Sequence, residues 1–187
     1  MASTRPSAES VGMTTWKIDP AHTLVEFSIK HMMFTTVKGR FTGVQGTLQL
    51  DEANPSRSSV EAEIDAASID TGDQRRDDHL RSAEFLDVEH YPTISFKSAR
   101  VELLDREHAR VTGNLTIHGV TREVALDTEL AGQGTTPFGT HVVGFEARTT
   151  INRKDFGLTW NVSLEAGGVL VGDTMKVEIN VEAIRED

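Results

Sequence analysis

Alternation of apolar and polar residues along most of this sequence restricts the fold more than any other feature. Near the C-terminus, Val177, Ile179 and Val181 alternate with Lys176 and Glu178, so one face of the segment is apolar and the other is polar. Successive side chains of a β-strand point to opposite faces of a sheet, and this period of two therefore predicts a half-buried strand. The pattern recurs in segments at residues 22–30, 37–51, 60–66, 94–103, 111–117, 120–130, 143–151 and 177–183.

Short connections between these segments predict that neighbouring strands run antiparallel. The pair His118-Gly119 is turn-sized, and a turn this short joins only antiparallel strands. The apolar phase slips near Gly43, which predicts a β-bulge within one long bent strand. We expect a loop at 131–139, and residues 153–172 have no regular pattern. The whole is typical of an all-β, antiparallel eight-stranded barrel or a sandwich.

One stretch, at residues 73–82, is patterned for a helix instead. Asp73 precedes it and has the short polar side chain that accepts hydrogen bonds from the first N–H groups of a helix. Leu80 is its only strongly apolar residue, and Phe85 and Leu86 follow it. A helix with one narrow apolar edge covers a larger structure rather than forming a core of its own. We therefore expect one short helix lying over the sheet.

Four segments, taken in order, resemble the signature of the YceI-like family. They are WKIDPAHTLVEFSIKHMMFTTVKGRF, RRDDHLRSAEFLDVEHYPTISFKS, GNLTIHGVTREVAL and TTINRKDFGLTW, and together they span roughly residues 15 to 184. The resemblance implies a lipocalin-like barrel with an elongated apolar cavity that binds polyisoprenoids or related lipids. The alternation alone leaves a hollow barrel and a solid sandwich equally open, and the resemblance favours the hollow barrel.

Composition and charge narrow the domain organisation and the partners. With 37% hydrophobic and 26% charged residues, the 187-residue chain is globular, and residues 13–187 are expected to form one barrel domain behind a flexible tail at 1–12. The net charge of -10 disfavours nucleic acid, and no apolar run reaches the roughly 18 residues of a membrane-spanning helix. The tail has no apolar core of a secretion signal, so we expect a cytoplasmic protein; exported proteins that it resembles make a periplasmic or secreted location the alternative.

Patterns for catalysis or metal binding are sparse. The chain has no cysteine and no GxSxG motif, and none of its seven histidines is spaced as HxH or HxxxH, so neither a metal site nor a cofactor is expected. His79 is the strongest functional candidate, as a group that orients a ligand head group. It follows Asp77 and Asp78, but consecutive helical residues point in different directions rather than at one reacting atom. An enzyme that uses His79 and these carboxylates on an amphiphile is the alternative.

A set of apolar residues from both ends of the chain and from the helix is predicted to line the cavity. With His79, the predicted lining residues are Phe27, Ile29, Met32, Met33, Phe34, Phe41, Val44, Leu80, Phe85, Phe96, Phe145, Phe156 and Trp160. Burial contributes about 0.8 kcal/mol per CH₂ group, so such a lining would hold a long acyl or isoprenoid chain. Arg75 and Arg76 at the helix N-terminus are candidates for binding a phosphate head group, as are Arg153 and Lys154.

These observations predict a non-enzymatic protein that binds, transports or sequesters a long-chain isoprenoid lipid, such as a polyprenyl phosphate or a quinone. That lipid, or an acyl lipid, is the expected partner and cargo. A homodimer is a second expectation, because long barrel strands often expose an edge or rim. A filled barrel that acts as a structural or interaction module is the remaining alternative, and it would have no continuous pocket.

Overall fold

A computed structural model describes residues 12–187, which form strands, four short 3-10 turns and one α-helix. Apart from Gly12, the tail predicted at 1–12 lies outside the described residues. Within 12–187 no helix is long and apolar enough to cross a membrane. In chain order the elements are β1 (Thr14–Ile18), β2 (Leu24–His31), β3 (Thr35–Phe41), β4 (Val44–Leu50), β5 (Ser59–Asp65), β6 (Ile69–Asp70), α1 (Gln74–Arg81), β7 (Thr93–Leu103), β8 (His108–Ile117), β9 (Val120–Thr135), β10 (His141–Asn152) and β11 (Thr174–Arg185).

The eleven strands form a closed antiparallel barrel of eight, because three pairs of short strands join end to end. β11 pairs with β2 through residues 176–180 and with β1 through residues 183–185, so β1 and β2 together make one interrupted barrel strand. β3 with β4, and β5 with β6, are interrupted in the same way. β7 to β11 then follow one another around the barrel. The predicted eight-stranded antiparallel barrel is confirmed.

The interruption of the second barrel strand corrects the bulge that the sequence predicted near Gly43. β3 and β4 are separate strands, and pairing is broken at Thr42 and Gly43 rather than shifted by one residue. The N–H groups of both residues donate to Ser68 Oγ, at 3.2 and 3.0 Å, and the Asp65 N–H donates to the Gly43 carbonyl at 2.7 Å. These bonds replace the ladder and let the strand bend around the barrel corner.

Of two further turns predicted from the sequence, one is confirmed and the other is partly wrong. His118 and Gly119, with φ of 53° and 71°, form a two-residue hairpin turn, as predicted. The loop predicted at 131–139 is wrong for its first part, because β9 continues to Thr135. Gly132, Gly134 and Thr135 each pair with a residue of β10, and this ladder outweighs the low strand propensity of the glycines.

α1 covers one end of the barrel, as the sequence predicted. The Asp73 side chain accepts from the Arg76 N–H at 3.0 Å and caps the helix. Phe85 and Leu86, just after the helix, are buried, and the Arg81 guanidinium donates to backbone carbonyls of the β5–α1 connection at 2.8 and 2.9 Å. These contacts fix the helix over the barrel opening.

The two openings of the barrel are built from different segments. We call one the helix end: it comprises α1, residues 82–92, the β2–β3 turn at 32–34 and the segment 153–172. The opposite opening, the far end, is formed by the connections at 51–58, 104–107 and 136–140. The largest side chains that are almost completely buried are Phe156, in the segment 153–172, and Val143, on β10.

Candidate functional site

The barrel encloses two adjoining cavities, one toward each end. The helix-end cavity has a volume of about 350 Å³ and the far-end cavity about 500 Å³. Both fall within the roughly 300–1,000 Å³ typical of small-molecule sites. Phe96, Leu126 and Ile179 line both cavities, and we call these three residues the waist. The two cavities therefore adjoin at the waist and together form an elongated apolar interior.

Some side chains that point inward are only half-buried, because they face this space rather than packed atoms. Met175, Val177 and Ile179 on β11 line the cavity and are half-buried, whereas Ala183 farther along the same strand is completely buried. In a solid sandwich all four would be packed at the density of a protein interior. Of the two architectures that the alternation left open, the structure has the hollow one.

The helix-end cavity contains most of the predicted lining residues. Strands and helix both contribute to its wall, and the predicted residues found there are Phe27, Ile29, Phe41, His79, Leu80, Phe85, Phe96 and Trp160. Phe27 and Phe41 lie on paired strands with their ring centroids 5.7 Å apart. The sequence thus identified much of the wall at this end, and the role of these residues in holding a ligand stays a prediction.

Two glycines leave room for aromatic rings in the wall. A Cβ on Gly39 would lie 2.3 Å from Cζ of Phe27, and a Cβ on Gly113 would lie 2.7 Å from Cζ of Phe96. Each ring therefore occupies the place that a side chain on the neighbouring strand would take. The rings stay against the wall and the cavity stays open.

A cluster of three rings closes the cavity beneath the helix. The His79 ring packs edge-on against Phe85 and Trp160, with centroid distances of 5.0 and 4.7 Å, and the latter two rings are 5.2 Å apart. His79 Nε2 shares a hydrogen bond with Glu84 Oε2, which orients the imidazole. One edge of His79 is thus held by a carboxylate while the rest of the ring completes an apolar wall.

Polar groups gather at the rim of the helix-end cavity, around the buried side chain of Asp77. The N–H and the hydroxyl of Thr71 donate to Asp77 Oδ1 at 2.9 and 2.5 Å. Arg76 donates in turn from Nε to the Thr71 hydroxyl at 2.7 Å and from Nη2 to the Thr71 carbonyl at 2.8 Å. Arg76 lines the cavity and Arg75 does not, and within residues 12–187 no acceptor engages Arg76 Nη1. Of the two head-group candidates, only Arg76 reaches the cavity.

Arg153, another basic candidate, is buried and engaged by the protein itself. Its Nε donates to the Gly172 carbonyl at 2.8 Å, and its Nη1 donates to the carbonyls of Leu158 and Trp160 at 2.6 and 3.0 Å. Burial lowers the pKa of Arg153, and Asp173 at 3.7 Å opposes that shift. Arg153 therefore fixes the segment 153–172 that carries Trp160. No local sequence pattern predicts these bonds, because the acceptors lie up to 19 residues away from Arg153 in the sequence.

Three predicted lining residues lie outside the cavity. Met32, Met33 and Phe34 form the β2–β3 turn and are 37%, 64% and 77% exposed. Met32 and Met33 adopt the left-handed conformation, with φ of 49° and 66°, and this ends the strand alternation that would have turned one of every two side chains inward. The expectation that they line the cavity wall is wrong, because they project from the turn.

Three other predicted residues occupy different parts of the interior. Val44 and Phe156 are 4% and 1% exposed and belong to the packed core rather than the cavity wall. Phe145 lines the far-end cavity, which the sequence did not separate from the first. The far-end wall also includes Leu48 and Val143, inward residues of strands whose alternation was readable. The sequence could not predict which of the two cavities an inward residue lines, because that depends on its height along the assembled barrel.

The two carboxylates and the imidazole at residues 77–79 of α1 each contact a different partner. Asp77 accepts from Thr71, Asp78 pairs with Arg81 at 3.2 Å, and His79 shares its hydrogen bond with Glu84. The consecutive acidic and imidazole groups of α1 therefore do not converge on one point. This geometry gives the enzyme alternative no assembled acid–base site on the helix.

A second polar group of side chains lies outside the cavity, where Asp19, His22 and Glu182 have ligand atoms within 4.8 Å of one another. His22 Nδ1 and Asp19 Oδ2 are 2.6 Å apart. This hydrogen bond raises the pKa of His22 and lowers that of Asp19. The proximity is that of an ion pair on the barrel exterior.

Comparison with known proteins gives one family. The family model of the YceI-like domain matches residues 16–183. A UPF0312 protein of Pectobacterium atrosepticum is 40% identical over 182 residues, which cover 96% of this chain and 91% of that protein. Among solved structures, the Campylobacter jejuni YCEI protein has 30% identity and a TM-score of 0.71, with 84% of this chain and 90% of that one covered. A Saccharophagus degradans domain described as polyisoprenoid binding has a TM-score of 0.68 at 14% identity, over 93% of this chain and 99% of its own.

Proposed function

Because this chain belongs to the YceI-like domain family, we propose that it is a non-enzymatic binding protein for a long-chain isoprenoid lipid held inside the barrel. The observation that carries the proposal is the elongated apolar interior, with about 350 Å³ toward the helix end and about 500 Å³ toward the far end. The description of the Saccharophagus degradans domain, which shares the fold, supports the same class of ligand.

The chemistry of the wall favours a long hydrocarbon over a compact polar ligand. Phe96, Leu126 and Ile179 at the waist offer no hydrogen-bonding side chain, so a chain passing them is held by burial of its CH₂ and CH₃ groups alone. Such contacts add with every carbon and do not depend on a head group. Affinity is therefore expected to rise with chain length until the chain reaches the far end.

The polar rim gives the lipid an orientation. Arg76 lines the helix-end cavity and retains donors on Nη1, and an arginine pairs well with a phosphate oxygen. A polyprenyl phosphate would then lie with its phosphate at Arg76 and its tail toward the waist, and a quinone would place its carbonyl oxygens there. Whether the protein carries or sequesters the lipid, the same orientation applies.

Native mass spectrometry of protein purified without added lipid, followed by solvent extraction, tests the proposal. A stoichiometric long-chain lipid, or saturable uptake of added polyprenyl phosphate or quinone, is the expected result. Leu126→Trp fills the waist and should abolish uptake, and Phe96→Asp should do the same by placing a charge there. Phe138→Asp, on a side chain 93% exposed at the far end, is the matched control and should bind normally. Failure of the unaltered protein to bind any of these lipids would refute the proposal.

A comparison of Arg76→Gln with Arg75→Gln tests the orientation. Arg76→Gln should weaken polyprenyl phosphate about tenfold while leaving the corresponding alcohol unchanged, and Arg75→Gln should change neither. Equal effects of the two substitutions would exclude a specific role for Arg76.

A further inference from the structure

The β2–β3 turn exposes three large apolar side chains in succession. Met32, Met33 and Phe34, which we call the apolar turn, are 37%, 64% and 77% exposed. Met32 and Met33 hold left-handed φ angles of 49° and 66°, a conformation that is costly for side chains larger than those of glycine or asparagine. Strained backbone that keeps apolar groups in water points to a role for those groups outside the folded core.

The apolar turn lies at the entrance of the helix-end cavity. The Met32 N–H donates to the Leu170 carbonyl at 2.8 Å, and the Gly172 N–H donates to the Lys30 carbonyl at 2.9 Å, so the turn is bonded to the segment 153–172. Lys30 and Leu170 both line the cavity, and Lys30 is exposed. The apolar turn is therefore attached to an exposed part of the cavity wall at the helix end.

Two lysines, Lys30 and Lys38, flank the apolar turn in a protein whose net charge is -10. No acidic residue lies between Glu26 and Asp51 in the sequence, whereas three basic residues do. Lys30 and Lys38 are exposed on the β2–β3 hairpin, and neither forms an ion pair with any residue of 12–187. Lys30 Nζ donates to the Thr36 hydroxyl at 2.9 Å. The hairpin thus combines an apolar tip with unpaired cations behind it.

We propose that the apolar turn inserts into the surface of an anionic phospholipid bilayer, with Lys30 and Lys38 at the level of the head groups. Large apolar side chains enter the boundary between head groups and acyl chains, and cations next to them are attracted to anionic lipids. This contact places the entrance of the cavity on the bilayer. It rests on the proposed function for its purpose, since an isoprenoid lipid would then pass between bilayer and barrel without crossing water.

Flotation of the full chain with vesicles tests the contact. We expect binding to phosphatidylcholine vesicles that contain phosphatidylglycerol, and weaker binding to phosphatidylcholine alone. The double variant Met33→Ser/Phe34→Ser should lower the bound fraction about tenfold, and Lys30→Gln/Lys38→Gln should remove the preference for anionic vesicles. Added salt should act like the lysine variant.

The far end supplies the matched control. Phe138 is 93% exposed in the connection at 136–140, so Phe138→Ser removes a comparable apolar group from the opposite opening. It should float like the unaltered protein. Equal loss with Phe138→Ser, or unchanged flotation of the Met33/Phe34 double variant, would overturn the proposal, and so would a preference for anionic vesicles that survives Lys30→Gln/Lys38→Gln.

Two further measurements separate this inference from the proposed function and from dimer formation. Uptake of a dispersed short-chain isoprenoid in vesicle-free solution should be unchanged in Met33→Ser/Phe34→Ser. A protein that floats but takes up no isoprenoid would refute the proposed function and leave the membrane contact standing, whereas uptake without flotation would refute the membrane contact alone. Sedimentation velocity without vesicles should give the same mass for the unaltered protein and for Met33→Ser/Phe34→Ser. A dimer that the double variant dissociates would assign the apolar turn to a second copy and overturn the proposal.

Discussion

The two ends of the barrel enclose similar cavities but are held in place differently. At the far end, the connections at 51–58, 104–107 and 136–140 each join two neighbouring strands of the closed ladder. Hydrogen bonds within each connection, such as that from the Asn54 N–H to Asp51 Oδ1 at 2.9 Å, complete these turns. At the helix end, α1 and the segments 82–92 and 153–172 lie outside the ladder. Side chains such as Arg81 and Arg153 bond these segments to backbone carbonyls. The far-end turns are therefore continuous with paired strands, whereas the segments that cover the helix end are attached through bonds from a few side chains.

Such a barrel can therefore change at its helix end without losing its fold. Segments outside the ladder open at lower free energy than the strands that they cover. Loss of one buried polar group at the helix end should thus loosen the cover and the entrance while the ladder stays intact. Substitutions at the helix end, each compared with a matched substitution elsewhere in the chain, test this contrast.

Arg153→Met should give the largest effect. The substitution leaves the carbonyls of Leu158, Trp160 and Gly172 without their donor in a buried setting. It also removes one of the two cations near Asp173, and Lys154 stays at 3.2 Å. We expect a loss of about 3–5 kcal/mol in the free energy of unfolding, measured by urea denaturation.

Arg106→Met at the far end is the matched control for that substitution. Arg106 is exposed, and removal of an exposed cation should change stability by less than about 0.5 kcal/mol. If both variants lost similar stability, the idea that buried polar residues specifically hold the helix end would be wrong.

Asp77→Ala should give the next largest effect, confined to the helix end. The Thr71 N–H and hydroxyl lose their acceptor, which costs about 2 kcal/mol for a buried pair of donors. Hydrogen exchange should show faster exchange of the α1 amides and unchanged protection of β8. Asp78→Ala, which removes an exposed neighbour, should leave both unchanged, and equal acceleration in β8 would contradict the independence of the two ends.

Two glycine substitutions compare the helix end with the waist. A Cβ on Gly113 would lie 2.4 Å from the Lys97 carbonyl oxygen, so Gly113→Ala forces two barrel strands apart and should cost about 1–2 kcal/mol. A Cβ on Gly39 meets side-chain atoms of Phe27 and Thr71, and the Phe27 ring has an open cavity to turn into.

Gly39→Ala should therefore destabilise the protein less than Gly113→Ala while reducing the space for ligand. Urea denaturation measures the first difference, and the longest isoprenoid alcohol that the variant takes up measures the second. A larger stability loss in Gly39→Ala would show that the helix-end wall is as rigid as the waist.

The contrast between the ends also explains what the sequence could and could not predict. Alternation in segments such as 177–183 predicted the eight barrel strands, because a half-buried strand imposes a period of two on its own residues. The helix cap at Asp73 and the turn at His118 could also be predicted, because each is determined by residues close to it in the sequence. The role of Arg153 and the outward direction of Met33 rest on contacts and backbone angles that only the assembled helix end fixes. The division of the interior at Phe96 likewise requires the closed barrel.

Exposed histidine–aspartate pairs should give the smallest effect, and it should be the same at both ends. His90 at the helix end bonds to Asp87, and His108 at the far end bonds to Asp105 at 2.9 Å; each hydrogen bond raises the pKa of its histidine. A raised pKa means that the folded protein holds the proton more tightly than the unfolded chain, whose histidines titrate at about 6.5. The stabilisation is thus complete below about pH 6.5 and is lost as pH rises through the folded pKa.

NMR titration should show that Asp87→Asn and Asp105→Asn each lower the pKa of their own histidine only. Between about pH 6 and pH 8 the unaltered protein should lose slightly more stability than either variant, since the variants lack the pair that titrates. Both histidines are exposed, so added salt should weaken both pairs. A pH dependence found at one end alone would mean that surface charge, as well as the buried groups around Arg153 and Asp77, distinguishes the two openings.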